Sequence, residues 1–391
     1  MTRLTIDDVY EHVSGVCFKT GPPGQVGAET EWFVIDREDR SRLVPLVRLR
    51  AVMDAAGPPP AGSRVTYEPG GQLELSSLPY QGAAAACTAL TADIAHVERH
   101  LGSAGLALEG RGFDPRTPVF QLNEGRYRCM RAYFGRPGLA MMCTTASLQV
   151  CLDIGADEKD ATRRWRLAHA LGPILVAAFA NSPGPYARST RQVIWEGLDP
   201  GRTGPVVGED PVAAWARYAL DARVMLLRDG WVPDPGMTFR EWMATGRPDL
   251  EDLTYHLTTL FPPVRPQGWL ELRMIDALPV CYWPVPVAVV SALIDDPRAA
   301  DAAAEAAESV AGRWREAARD ALADRLLWRA ARRCFDAARD ALPRMGAQHL
   351  APLVETYAER FVERGRCPAD VPADIVARDA APAEKEEPTW T

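Results

Sequence analysis

The run Tyr67-Glu68-Pro69-Gly70-Gly71-Gln72-Leu73-Glu74-Leu75-Ser76 places the strongest constraint on the fold. Pro-Gly-Gly ends one extended segment and lets the chain reverse. Leu73 and Leu75 alternate with Glu74 and Ser76, so residues 65–67 and 73–77 are expected to pair as a hairpin. A turn with a carboxylate on either side suits a cation. Acids of the same kind recur far away: Glu29 and Glu31 lie in Val26-Gly27-Ala28-Glu29-Thr30-Glu31-Trp32-Phe33-Val34, and Glu271 lies in Gly268-Trp269-Leu270-Glu271-Leu272-Arg273-Met274. Residues two apart on a strand share a face, so Glu29 sits with Glu31, and Glu271 with Arg273. Solvation, ion pairing or metal binding could satisfy such acids. The apolar flanks Val26, Trp32, Phe33 and Val34 disfavour plain solvation, and one metal centre would account for Glu29, Glu31, Glu68, Glu74 and Glu271 together. The divalent ions suited to oxygen ligands alone here are Mg²⁺ and Mn²⁺.

The remaining sequence sets the frame for these acids. Strands are expected at 26–36, 65–67, 73–77, 106–113, 146–153 and 269–274, and helices at 5–13, 46–56, 83–101, 127–134, 158–181, 211–227 and 250–260. Residues 295–365 turn rich in Ala, Arg, Asp and Glu with helical periodicity, which predicts two or three amphipathic helices. The expected organisation is one domain over 1–365, with 295–365 as its C-terminal helical part, then a flexible tail over 366–391 rich in proline, alanine and charge. Strands separated by long helices, with one polar sheet face, predict an α+β fold: a largely antiparallel sheet, helices on one face and the other face open.

Composition excludes several functions. A net charge of -8 argues against nucleic acid and anionic membranes as partners. The opening Asp7 and Asp8 fall where a signal peptide would be apolar, and no run of eighteen apolar residues occurs, so a cytoplasmic location is expected. The eight cysteines form no C-x-x-C pair, which argues against a zinc or disulfide framework. No Gly-rich phosphate loop opens a helix, so any ATP must be held by metal and arginine. Arg188, Arg191, Arg202 and Arg273 are candidates, because a guanidinium fork matches carboxylate or phosphate oxygens; surface solubility is the competing role.

On these segments the chain resembles the glutamate-cysteine ligases of the plant and bacterial type, particularly the actinobacterial branch of the ergothioneine pathway. The resemblance is carried by Glu29-x-Glu31, the Tyr67–Ser76 run, Arg126-Tyr127-x-x-Met130-Arg131-x-Tyr133, Met141-Met142 through Ser147-Leu148-Gln149-Val150, Tyr186 to Arg191, Asp199 to Gly204, and His256 to Arg265 with Trp269 to Asp276. It implies a glutamine-synthetase-like core whose curved antiparallel sheet forms a funnel. It also implies Mg²⁺, with Mn²⁺ able to replace it, and ATP, L-glutamate and L-cysteine as substrates. Glu29, Glu31, Glu68, Glu74 and Glu271 match the family's metal acids, with Glu74 and Arg273 assigned to catalysis. Arg191 matches the receiver of the glutamate α-carboxylate, and Arg188, Gln149, Tyr186 and Arg131 are further substrate candidates. Arg273, Arg202 and His256 are assigned to ATP, and His256 is also a candidate base for the cysteine amine. Two positions depart from the pattern: Cys151 stands where relatives carry asparagine, and Cys143 where they tend to carry arginine.

Three alternatives remain open on sequence: a ligase joining glutamate to another amine, a non-catalytic scaffold, and a metal-dependent hydrolase. The last would ordinarily use histidine ligands, and only six histidines are present. Oligomeric state is not readable from these motifs.

Overall fold

The computed structural model describes residues 4–206, 208–228 and 236–372. Its centre is an eight-stranded sheet of β1 (Gln25–Asp36), β2 (Arg64–Tyr67), β3 (Leu73–Ser76), β4 (Tyr80–Gln81), β5 (Leu106–Glu109), β6 (Ser147–Asp153), β7 (Val264–Pro266) and β8 (Trp269–Asp276). The order is β2-β3-β1-β6-β8-β7, with β4 and β5 also paired to β1, and every pairing is antiparallel. The α+β architecture expected from sequence is therefore present.

Alternation divides the sheet into two faces. Ala28, Trp32, Leu148, Val150, Leu152, Leu270, Leu272 and Met274 are buried against helices Gly82–Ser103, Glu158–Ala178 and Pro284–Asp295. Each fully buried leucine contributes about 2 kcal/mol, enough to fix a register in which a one-residue slip would turn the acids into the core. The opposite face carries Glu29, Glu31, Glu74, Gln149 and Arg273 and lines a cleft.

The Pro-Gly-Gly turn is set by close packing. Gly71 has φ +91°, and a Cβ on Gly70 would come within 2.2 Å of the Cys143 carbonyl oxygen. The Gln72 side chain donates to the carbonyls of Met142 (3.2 Å) and Thr145 (2.8 Å), tying the turn to the C-terminal end of the later helical segment Gly125–Thr144.

Several elements differ from expectation. The helix expected at 127–134 belongs to Gly125–Thr144, two helices joined across a kink at Gly135 (φ 64°); Gly135 and Pro137 there read as a stop in sequence. The strand expected at 106–113 ends at Glu109, because at Gly110 the backbone passes so close to Leu278 that a Cβ would lie 1.9 Å from its carbonyl oxygen. Strand β7 and the helix Pro284–Asp295, buried from Pro284 to Ile294, are additional to expectation; a proline ends the first and two stand in the first turn of the second. The helix expected at 211–227 ends at Asp221, and the C-terminal region forms four α-helices, Pro297–Ala307, Trp314–Asp320, Arg325–Ala341 and Ala351–Arg360.

The tail expectation is corrected in its first residues. Cys367 is buried, the Ala369 N–H donates to the Ala180 carbonyl (3.0 Å), and Asp370 pairs with Arg188 (2.6 Å), so this stretch is docked. Residues 373–391 lie outside the described residues. Among the described residues no helix is long and apolar enough to cross a membrane.

Candidate active site

Register brings the acids together. Glu31 lies opposite Glu74 across β1 and β3, and Thr66 opposite Glu74 across β2 and β3. Glu29 faces Gln149 across β1 and β6, while Glu271 is flanked by Cys151 on β6 and Arg265 on β7. Glu68 enters from the hairpin turn. Glu29, Glu31, Glu68, Glu74, Gln149 and Arg273 line one cleft of about 660 Å³, with Arg126, Tyr127 and Tyr255 among its other lining residues.

Glu31, Glu74, Glu271, Gln149 and Arg273 are each positioned by a named contact. Glu31 accepts from the Ser147 N–H (2.7 Å) and hydroxyl (2.9 Å). Glu74 accepts from Thr66 Oγ1 (2.5 Å) and Ser76 Oγ (3.3 Å). Glu271 Oε2 accepts from Arg265 Nε (2.6 Å) and Arg273 Nη1 (2.8 Å), and the same Arg273 nitrogen reaches Gln149 Oε1 (2.5 Å). Arg191 lies one layer back: its Nη2 donates to the Arg273 carbonyl (2.8 Å), and its guanidinium lies 5.8 Å from the centre of the Trp195 ring.

The electrostatics are those of a site short of positive charge. Burial, then the charges of Glu271 and Glu74, pushes the Glu29 carboxyl up to about 8. Burial and then Glu74 raise Glu31, and burial followed by Glu74 and Glu31 holds Glu68 well above the carboxylate range. Glu271 is the exception: burial raises it, but the guanidiniums of Arg265 and Arg273 overcome this and hold it at about 2. Like charges directly opposite one another in a sheet are destabilising. A facing Glu31–Glu74 pair with Glu29 and Glu68 beside it could hold divalent cations, and the oxygen donors of these acids fit Mg²⁺ or Mn²⁺.

Seven expected residues do not line the cleft: Glu271 and Arg191 lie behind Arg273, and five others are placed elsewhere. Arg202 is fully buried, donating to Thr259 O (2.5 Å) and Oγ1 (2.7 Å) and to the Arg223 carbonyl, and it braces the fold. His256 is buried against the Phe239 ring at 4.7 Å with Nε2 at 2.9 Å from the Ala219 carbonyl; burial and then Arg202 push it down to about 3, so it is neutral. Arg188 is taken by Asp370, Tyr186 is 87% exposed, and Arg131 lies over the Phe120 ring at 5.6 Å. None of these lines the cleft.

Sequence reasoning assigned no role to Arg265 or Arg126. Arg265 sits directly across the β7–β8 hairpin from Glu271, a pairing that Pro266-Gln267-Gly268 between two extended stretches signals. Arg126 donates to Thr258 Oγ1 (3.0 Å) and carbonyl (2.7 Å), joining two segments that line the cleft; its helical position gave no comparable signal.

Comparison with known proteins bears on this geometry. The family model described as Glutamate-cysteine ligase family 2 (GCS2) matches residues 25–387. The chain is 42% identical to the glutamate–cysteine ligase EgtA of Mycolicibacterium smegmatis, over 96% of this chain and 93% of that one. It is 31% identical to the chloroplastic glutamate–cysteine ligase of Medicago truncatula, over 71% and 62% of the two chains. Among solved structures, the glutamate–cysteine ligase (gshA) of Francisella tularensis in complex with AMP aligns with a TM-score of 0.54 at 14% identity, covering 93% of this chain and 90% of that one, a likeness of fold.

Proposed function

Because the chain belongs to glutamate-cysteine ligase family 2, we propose that it joins L-glutamate to L-cysteine at the expense of ATP, in ergothioneine biosynthesis. The γ-carboxylate of glutamate takes the γ-phosphoryl group of ATP, and the cysteine amine then displaces phosphate, giving γ-glutamylcysteine, ADP and phosphate. The observation that carries this reading is the facing acidic rows of Glu29, Glu31, Glu68 and Glu74 beside Arg273 in one cleft.

The chemistry needs that arrangement because both first reactants are anions. Two unit charges about 3.3 Å apart repel by about 5 kcal/mol at an effective dielectric of about 20. Mg²⁺ held by Glu29, Glu31, Glu68 and Glu74 would supply the offsetting charge on the phosphate oxygens. Arg273 offers a second offset: among the described residues only its Nη1 is committed to protein acceptors, which leaves Nε and Nη2 for a phosphate. Glu271 keeps that guanidinium ionised and oriented, and Gln149 fixes it from the neighbouring strand. Arg191, paired with Asp276 at 3.9 Å and bonded to the Arg273 carbonyl behind the cleft, would receive the α-carboxylate on releasing that carbonyl.

The test is incubation with Mg-ATP, glutamate and cysteine, following ADP and product mass while omitting each component in turn. ADP formation that requires both amino acids, with a product of γ-glutamylcysteine mass, is expected. ADP formation indifferent to glutamate would overturn the reading.

A further inference from the structure

Asp276 closes β8 three residues beyond Arg273 and is 2% exposed, and Arg191 beside it is 4% exposed. Asp276 Oδ2 accepts from the Asn181 N–H (2.9 Å) and the Ser182 hydroxyl (2.6 Å), and Oδ1 accepts from the Ser189 hydroxyl (3.0 Å). A carboxylate has about four acceptor positions. Among the described residues the unfilled one is on Oδ1, the oxygen 3.9 Å from Arg191 Nη1.

The two serines carry the geometry of this carboxylate to the backbone that bears Arg191. Ser182 and Ser189 pair as a parallel bridge, which closes the loop between them, and the Thr190 N–H donates to the Ser182 carbonyl (2.9 Å). Each hydroxyl donates to Asp276 and turns its lone pairs to the first turn of the helix Thr190–Glu196. Ser182 Oγ accepts from the Arg191 N–H and Ser189 Oγ from the Gln192 N–H, both at 3.2 Å. Such first-turn N–H groups find no acceptor within a helix, so the serines supply one to each. A hydroxyl proton committed to an anion fixes the lone pairs, because a charge-assisted bond is roughly twice as strong as a neutral one. The Arg191 side chain is thereby aimed at the Arg273 carbonyl (2.8 Å), with the centre of the Trp195 ring 5.8 Å from its guanidinium carbon.

We propose that Asp276, acting with Ser182 and Ser189, is the positioning residue that sets Arg191 for an anionic amino-acid substrate. When Arg191 releases the Arg273 carbonyl to take a carboxylate, the spare position on Asp276 Oδ1 receives Nη1. One end of the guanidinium then stays held while Nη2 turns to the ligand. Asp276 touches no reacting atom and acts only through Arg191. The identity of the anion, the α-carboxylate of glutamate, rests on the ligase reading; the aiming of Arg191 does not. Asparagine at 276 would keep the shape but lose the charge, and its amide nitrogen accepts from no hydroxyl, so one serine would turn away and leave its helix N–H unpaired.

The test is steady-state kinetics of full-length Asp276→Asn, Ser182→Ala and Ser189→Ala, with crystal structures of the wild type and the variants. The KM for glutamate should rise about tenfold or more in Asp276→Asn, the scale of a hydrogen bond to a charged group, and about fivefold in each serine variant, the scale of a neutral one. In all three, kcat and the KM for ATP should stay near the wild-type values. In an Arg191→Lys background Asp276→Asn should add little to the glutamate KM, because groups that act through one another are non-additive. Full additivity in that double variant, or a KM for ATP rising in step with that for glutamate, would overturn the positioning role. Should Asp276→Asn fail to fold, the same comparison with Ser182→Ala decides. If the wild type forms no ADP with Mg-ATP, glutamate and cysteine, the ligase reading falls and the crystal structures decide the positioning role. An Arg191 guanidinium displaced from the Arg273 carbonyl in the variants would support it, and an unmoved one would overturn it.

Discussion

Glu74→Gln should make the metal-free protein more stable while abolishing its activity. The register sets Glu74 directly opposite Glu31, and its charge also acts on Glu29 and Glu68. Two carboxylates about 6 Å apart repel by about 3 kcal/mol at an effective dielectric of about 20, and like-charge pairs in sheets typically cost about 1 kcal/mol. Removing one charge should therefore stabilise the metal-free fold by about 1–3 kcal/mol. Glutamine keeps an oxygen to accept from Thr66 Oγ1, so the local geometry has no reason to change. Turnover should fall by about a hundredfold or more, the scale on which single electrostatic groups contribute to catalysis. Urea unfolding in chelator at pH 8, repeated with excess Mg²⁺, and an ADP-release assay give the readouts. In the wild type Mg²⁺ should stabilise strongly, and in the variant the increment should shrink. A variant less stable than wild type in chelator, with its Mg²⁺ increment intact, would refute the claim that these acids are held together for a cation.

Three further outcomes follow from the same geometry. In chelator, stability should fall as pH rises from about 4.5 to about 8, because the folded chain keeps a proton on Glu29 that the unfolded chain releases; Mg²⁺ displaces that proton, so its increment in melting temperature should grow with pH, and a pH-independent increment would contradict this. Arg265→Ala leaves the buried Glu271 with one guanidinium in place of two and should cost about 3 kcal/mol in urea unfolding at pH 7; a loss below about 0.5 kcal/mol, the scale of an exposed pair, would contradict it. His256→Phe keeps the stack on Phe239 but loses the contact with the Ala219 carbonyl, so it should cost about 1–2 kcal/mol of stability and leave the KM for ATP unchanged; a tenfold rise in that KM would return His256 to the nucleotide site.

The elements legible in sequence were those whose local pattern agrees with their tertiary setting. Strand β1 alternates acids with apolar residues, the Pro-Gly-Gly turn needs glycine for close approach, and β8 shows the same period of two. Where a stop residue sits inside an element the local signal misled, as at Gly135 and Pro137 within Gly125–Thr144 and at Pro266 in β7. The acids converged as expected because alternation fixes the face and hairpin register fixes the neighbour. Arg273 on β8 followed the same rule, but the other arginines did not, because a long side chain in a short helix or a loop has none. Arg202 and Arg191 lie in neighbouring short helices, yet the first is consumed by the Thr259 and Arg223 carbonyls and the second backs onto Arg273. Cys367 to Val371 read as tail in composition, and groups distant in sequence hold that segment down: the carbonyl of Ala180, the side chain of Arg188 and the core into which Cys367 packs.

The most direct test of the central claim is anomalous diffraction from crystals grown with Mn²⁺, a non-hydrolysable ATP analogue and glutamate. Manganese peaks ligated by Glu29, Glu31, Glu68 and Glu74, with the γ-phosphate within hydrogen-bonding reach of Arg273, are the predicted result. Manganese and nucleotide bound elsewhere, with these four carboxylates left facing only water, would contradict it.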